Sequence, residues 1–254
     1  MIDALKSSRR YGTLADAALV RAARWALARA RSEKDAVRVA KRKLHQVHGA
    51  FVSGGHLTKA EALVAGGGPI DDVCRGVLGC QTSTMQRLAY ADELYANVRG
   101  VCRAPRRVLD LACGLHPFAL PSMGLPDACS YEAVEVDHRF TDLVAHLDGW
   151  MPQEVTARTV DLVSEPVERE VDLVFLLNAL PSLEQQEKGS AGAVLDAARA
   201  PVTIVSFPAR SLCGRTPMRR ADAARVLEAS LPLGALIADA WSFSHETVYV
   251  VRRD

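Results

Sequence analysis

No apolar run approaches the roughly 18 residues that a bilayer-spanning helix needs, so a membrane-spanning chain is excluded. The charged segment 1–10 is not followed by an apolar stretch and cleavage site, and no secretory signal is expected. Cysteine occurs six times, at positions 74, 80, 102, 113, 129 and 213, without a C-x-x-C pair. That pattern suggests neither a metal site nor a disulfide framework, and a reduced, cytoplasmic protein is the economical reading. G-x-G-x-x-G is also missing, which argues against a loop cradling a dinucleotide pyrophosphate. Repeats, low-complexity tracts and heptads are absent as well, so nothing points beyond a monomer. What remains is ordinary globular material. The 254 residues, 49% apolar and 24% charged, suffice for a core domain of about 150 residues with an added module.

The formal charge of +1 conceals an asymmetry. Residues 1–60 hold 13 Lys and Arg against 4 Asp and Glu, a charge of +9, and the remainder carries −8. A basic first quarter on an acidic body suggests an anionic partner gripped at one end, nucleic acid foremost, with a solvated helical surface as the alternative.

The first third reads as helical. Leu14 to Arg31 is rich in alanine, the best helix former, and Ser32 with Asp35 resembles an N-cap with an acid in the first turn. Val37, Ala40, Leu44 and Val47 then recur as one apolar stripe, while Lys34, Arg38, Lys41 and Arg42 project from another face, left for solvent or phosphate. Trp25 falls at core spacing and not as a stacking platform. Thr58 and Glu61 form a capping box before a short helix that Gly66-Gly67-Gly68-Pro69 breaks. Thr82-Ser83-Thr84 opens a helix running to about Val98. The expected division is a basic helical domain over 1–80 and a second domain over 81–254.

From Arg107 short β-branched runs alternate with helical segments. The strand candidates are Val108–Ala112, Tyr131–Val136, Val155–Val160, Val171–Leu177 and Val202–Ser206, with Leu233–Trp241 and Thr247–Val251 as a closing hairpin. Such alternation means βαβ units and an α/β fold with a mostly parallel, seven-stranded sheet. A parallel sheet ending in a hairpin narrows the choice to nucleotide-cofactor folds, methyltransferases among them.

Val108 to Leu115 is a strand entering a glycine turn, where the small Ala112 and Gly114 allow the backbone to approach a ligand. Glu135 ends the next strand, suited to both hydroxyls of a ribose, with Asp137 two residues on; helix capping is the competing role for either. Asp161-Leu162 follows one strand later, placed for an adenine amino group and its apolar face. Together these are the working parts of an S-adenosylmethionine pocket. Cys113 lies beside the turn, but nothing there activates a thiol.

Four strings are more specific. They are Thr82-Ser83-Thr84-x-x-Arg87-Leu88, the run Leu109-Asp110-Leu111-Ala112-Cys113-Gly114-Leu115-His116-Pro117-Phe118-Ala119-Leu120-Pro121, Leu180-Pro181-Ser182-Leu183-Glu184-Gln185-Gln186, and Ser206-Phe207-Pro208-x-Arg210-Ser211-Leu212-x-Gly214-Arg215. In these the chain resembles the aminoglycoside-resistance 16S ribosomal RNA methyltransferases, in the branch that modifies guanine N7 at position 1405. The resemblance implies a class I, Rossmann-like S-adenosylmethionine methyltransferase with an N-terminal helical RNA-binding domain, acting on 16S rRNA in the 30S subunit. It implies that Arg87 pairs with the methionine carboxylate, with a surface arginine as the alternative. Ala112 and Gly114 would approach the methionine and sugar, Glu135 would hold the ribose, Asp161 and Leu162 the adenine, and Leu177 would lend its backbone near the sulfonium. Arg210 and Arg215 fall to RNA engagement. Glu246 matches a glutamate near the target base, with a solvated hairpin charge as the alternative.

Two places depart from that pattern: Asn178 stands where the family usually has lysine, and the loop after Arg215 reads Thr216-Pro217-Met218-Arg219-Arg220. These motivate a second reading, a divergent homologue without turnover; a small-molecule methyltransferase is a third. Guanine N7 carries a free lone pair at neutral pH, so no general base, and no catalytic residue other than Glu246, is expected.

Overall fold

The computed structural model describes residues 1–48, 54–209 and 219–253. Three helices open the chain: α1 (Ile2–Lys6), α2 (Asp16–Leu27) and α3 (Glu33–His48). Helix α2 is shorter than the alanine-rich stretch because residues 13–15 are drawn out to pair with the later chain. Leu14 bridges Asp137, the Ala15 amide donates to the Val136 carbonyl at 2.7 Å, and the His138 amide donates to the Thr13 carbonyl at 2.9 Å. Ser32 caps α3 as expected, its Oγ accepting from the Asp35 amide at 3.2 Å. The buried stripe of α3 is Ala36, Ala40, Leu44 and Val47; Val37 lies to one side of it, half-buried. Alanines on both helices let α2 and α3 close together, and with Leu5, Tyr11, Leu14 and Leu19 they form a core of their own. Trp25 packs against that core, only partly buried, with the Arg29 guanidinium 4.5 Å from its ring centroid.

Next come α4 (Gly54–Gly66), α5 (Ile70–Leu78), α6 (Thr82–Arg87) and α7 (Ala91–Val101). The proposed capping box at Thr58 is corrected: α4 already runs from Gly54, which puts Thr58 inside the helix. Pro69 stops α4 from continuing and serves as N-cap of α5. The single helix expected from Thr82 to Val98 is two, joined by a 3₁₀ turn over Leu88–Tyr90. Gln81 is the N-cap of α6, and the Thr84 hydroxyl instead donates to the Leu78 carbonyl at 2.6 Å.

The sheet strands are β1 (Arg107–Leu111), β2 (Ser130–Glu135), β3 (Glu154–Thr159), β4 (Leu173–Leu177), β5 (Val202–Pro208), β6 (Ala235–Ser242) and β7 (Glu246–Arg253). Their order is β3-β2-β1-β4-β5-β7-β6. Pairing is parallel from β3 to β5, and β7 runs antiparallel between β5 and β6. The hairpin's second strand begins one residue earlier than expected, so Glu246 is a strand residue opposite Pro208. The intervening helices are α8 (Leu120–Met123), α9 (His138–Ala145), α10 (Leu180–Gln186), α11 (Ser190–Ala197) and α12 (Arg220–Glu228).

Strand β4 shows how the sheet makes two cores. Leu173 and Phe175 point to one face and Val174 and Leu176 to the other, all buried, the two-residue period of a strand covered on both sides. Leu57, Ala60, Val73 and Val77 of α4 and α5 share the core of Phe175, so those helices pack with the sheet. The strand order reverses between β1 and β4, and ligands of open α/β sheets bind in the crevice such a reversal leaves at the strands' carboxyl ends.

Phe175 is 1% exposed at the centre of the sheet and meets the His116 ring edge-on at 5.1 Å. Phe175→Ala is expected to destabilise the chain by about 3–5 kcal/mol in denaturant titration, the usual result of emptying a closed core position.

Candidate cofactor cavity

Strand β1 runs into a turn with two left-handed residues, Ala112 at φ 51° and Gly114 at φ 52°. At Gly114 the left-handed backbone favours glycine, and a Cβ there would lie 2.7 Å from Gln81 Nε2, so the Gln81 side chain would have to shift. Gln81 stands across the turn because its Oε1 accepts from the Leu115 amide at 2.9 Å. The turn forms one wall of a cavity at the carboxyl ends of β1, β2, β3 and β4. Arg87, Ala112, Gly114, Glu135, Asp161, Leu162 and Leu177, the full set expected from the sequence, line it.

Glu135 closes β2 and reaches back to β1. Its Oε2 accepts from the Gly114 amide at 3.0 Å and its Oε1 from the Val136 amide at 2.8 Å. Burial pushes its carboxyl from 4.5 up to about 7, against those two hydrogen bonds, which favour the ionised form. Asp137 takes the capping role: it accepts from the Arg139 amide at 3.1 Å, pairs with the Arg139 guanidinium at 2.6 Å, and starts α9. Asp161 is 3% exposed with its carboxylate occupied. Arg21 of α2 forks both its oxygens at 2.9 Å, and the Ser164 hydroxyl donates to Oδ2 at 2.6 Å.

Arg87 and Glu246 overturn both surface alternatives, at 4% and 2% exposure. Arg87 Nε and Nη2 donate to the two Glu246 oxygens at 2.7 and 2.8 Å. Tyr90, Asn178 and Ser206 donate to the same carboxylate at 3.2, 3.2 and 2.8 Å. Burial alone would neutralise each partner, but each holds the other charged: Arg87 above its ordinary value, Glu246 below its own. Asn178 has a structural reason for its identity. It sits at φ 58°, where asparagine is tolerated better than most side chains, and its amide reaches Glu246.

Several lining residues carried no role in the sequence reading. Asp110 accepts from the Tyr131 hydroxyl at 2.7 Å and bonds His116 Nδ1 at 2.8 Å, and His116 Nε2 meets the Tyr95 hydroxyl at 3.1 Å. His48 lines the cavity from α3, and burial pushes it down to about 4, so it is neutral there. Asp110 and His116 stand inside the quoted glycine-turn string, and their polarity in an apolar strand-turn was the available signal. Arg21, Gln81 and His48 all lie well upstream of β1, and no local pattern links them to it. Cys113 is buried, and burial raises its thiol well above the ordinary range, in keeping with a structural role. Among the expected RNA-binding residues, Lys34, Arg38 and Arg42 are exposed and Lys41 is half-buried on α3, with Arg38 2.6 Å from Asp35. Arg210, Arg215 and the loop over 216–218 lie outside the described residues.

The cavity suits an adenosyl donor on its own chemistry. The desolvated Glu135 carboxylate stands at the end of β2, Val160 and Leu162 supply an apolar wall beyond it, and Arg87 faces the other end with Nη1 outside the Glu246 pair. Asp110 Oδ1 and Asn178 Oδ1 are buried without a partner among the described residues, two acceptors at the same end. Among the described residues no pyrophosphate cradle accompanies them. On a sheet of this order, that combination defines a class I S-adenosylmethionine-dependent methyltransferase.

The comparisons narrow the class. The profile of the ribosomal RNA methyltransferase (FmrO) family matches residues 7–250, and the chain belongs to that family. It is 36% identical to a 16S rRNA (guanine(1405)-N(7))-methyltransferase of Frankia casuarinae, over 97% of this chain and 90% of the relative. A protein of the same name from Serratia marcescens is 33% identical, covering 89% and 86%. Among solved structures, the 16S rRNA methyltransferase RmtF in complex with S-adenosyl-L-homocysteine superposes with a TM-score of 0.86 at 33% identity, over 100% of this chain and 96% of that one.

Two outcomes follow from the cavity walls. Gly114→Ala is expected to weaken S-adenosylhomocysteine binding at least about ten-fold by calorimetry, since the new methyl and the strained φ both displace Gln81. Glu135 makes stability pH-dependent: its folded value exceeds the unfolded one, so the folded chain holds the proton longer. Its contribution therefore falls as pH rises from about 4.5 to about 7 and is level above that. Denaturant titrations across that window should show the slope, and Glu135→Gln should remove it.

Proposed function

We propose that the chain transfers the methyl group of S-adenosylmethionine to N7 of guanine 1405 in the 16S rRNA of the 30S subunit, and thereby protects its host from aminoglycosides. The observation that carries the reading is the single cavity in which all seven expected donor-binding residues meet. In this reading residues 1–80 supply the basic RNA-binding part and 81–254 the methyltransferase part, and the chain works as a cytoplasmic monomer.

The donor supplies an electrophilic methyl on sulfur; the chain supplies position. Glu135, in its ionised form, accepts from the ribose hydroxyls, Leu162 covers the adenine face, and Arg87 takes the methionine carboxylate with the nitrogen that Glu246 leaves over. Ala112, Gly114 and Leu177 bring backbone close to the donor. Holding the reacting atoms about 3 Å apart in line is the main contribution, because N7 needs no base. Glu246, with five donors on its two oxygens, acts by fixing Arg87 and Asn178. The guanine must leave its stack to reach a cavity of this depth, at a cost of a few kcal/mol. Phosphate binding by Lys34, Arg38, Lys41 and Arg42, with Arg210 and Arg215, offsets that cost. The Arg38–Asp35 pair is exposed and worth little, so exchanging it for a phosphate is easy.

Asn178 does not favour the reading without turnover, since the left-handed backbone and the Glu246 hydrogen bond account for it. The test is transfer of labelled methyl into purified 30S subunits, followed by borohydride and aniline scission to locate an N7-methylguanine. Cleavage at 1405 is the expected result; label in small molecules alone, or none, overturns the reading. Replacing Lys34, Arg38, Lys41 and Arg42 together by alanine should lower the salt slope of 30S binding by about 3, one unit or slightly less for each phosphate no longer neutralised.

A further inference from the structure

Asp161 cannot orient itself. It is a buried carboxylate at the mouth of a turn, and its two oxygens accept from a guanidinium that arrives from a helix 140 residues earlier in the chain. Arg21 Nε meets Oδ2 and Nη2 meets Oδ1, both at 2.9 Å, a two-pronged geometry that fixes the carboxylate plane. Nη2 also donates to Gln186 Oε1 at 2.7 Å, at the end of α10, so the same fork ties two cavity-lining residues together. With Ser164 as third donor, about one of the carboxylate's four acceptor positions is left, and Asp161 lines the cavity. The helix that carries Arg21 is itself held to the loop after β2, through the Ala15 and His138 amides at 2.7 and 2.9 Å. The N-terminal helices are therefore fastened to both loops that border the adenosine half of the cavity.

We propose that Arg21 is a positioning residue for the methyl donor: by forking Asp161 it aims the one remaining acceptor at the adenine amino group, and so sets the preference for an adenosyl over an inosyl donor. This rests on the donor reading of the cavity given above. An inosyl ligand carries an oxygen where adenine carries its amino group, so it gains nothing from that acceptor. A merely structural role for Arg21 would weaken both ligands alike.

The experiment is calorimetric titration of the full chain with S-adenosylhomocysteine and S-inosylhomocysteine. Arg21→Lys keeps the charge and loses the fork, because an ammonium is a point donor. It should weaken the adenosyl ligand about ten-fold, the loss of one hydrogen bond to a charged acceptor, and leave the inosyl ligand within about two-fold. Should that variant not fold, Arg21→Gln, which keeps one amide donor toward Asp161 without the fork, is expected to give the same selective loss. Equal loss for both ligands, or no loss for either, overturns the assignment. Wild-type chain that binds neither ligand would overturn the donor reading itself, an outcome distinct from a variant that binds both without preference.

Discussion

Everything at the cavity depends on one turn. Strand β1 ends in two left-handed residues, Ala112 and Gly114, and the Gly114 amide they expose is taken by Glu135 from the neighbouring strand. That bond holds the Glu135 carboxylate against the backbone of the glycine turn. Burial of that carboxylate raises its proton affinity, against the two amide hydrogen bonds, which favour the ionised form. A larger residue at 114 would push Gln81 away, and with it the amide of Leu115. Two side chains, Glu135 and Gln81, thus hold successive amides of the turn.

The second constraint is electrostatic. The Arg87–Glu246 pair lies 159 residues apart in sequence and is almost fully enclosed, with three further donors completing the carboxylate. Burying two charges is costly unless each finds its partner and the remaining hydrogen bonds are made. Here both conditions hold, and the last strand of the sheet is thereby pinned to α6. A second long-range fork, Arg21 to Asp161, attaches the N-terminal helices in the same manner. Charged pairs thus join elements that border the cavity, beside the apolar packing of α4 and α5 against the sheet.

Much of this was legible in the sequence, for reasons that differ between elements. The parallel strands stood out as short β-branched runs alternating with helical segments, and residues 173–176 prove buried on both faces. Glu135, Asp161 and the glycine turn followed from their position one βα unit apart. Arg87 and Glu246 came only through family resemblance, and their mutual pairing did not come at all, since a bond across 159 residues leaves no local trace. The same holds for Arg21. Helix bounds failed where tertiary structure overrode local preference: Leu14 left the alanine-rich helix to bridge Asp137, and Thr58 was enclosed by a helix that begins before it. Asp137 showed the value of keeping the plain alternative, for it caps α9 while Glu135 faces the cavity.

The most direct test is a diffraction structure of the chain with S-adenosylhomocysteine. The account predicts both ribose hydroxyls at about 2.6–3.0 Å from the Glu135 carboxylate, the span of a short charge-assisted hydrogen bond, with the methionine carboxylate at Arg87. A ligand seated elsewhere on the sheet, or a ribose turned away from Glu135, would contradict it.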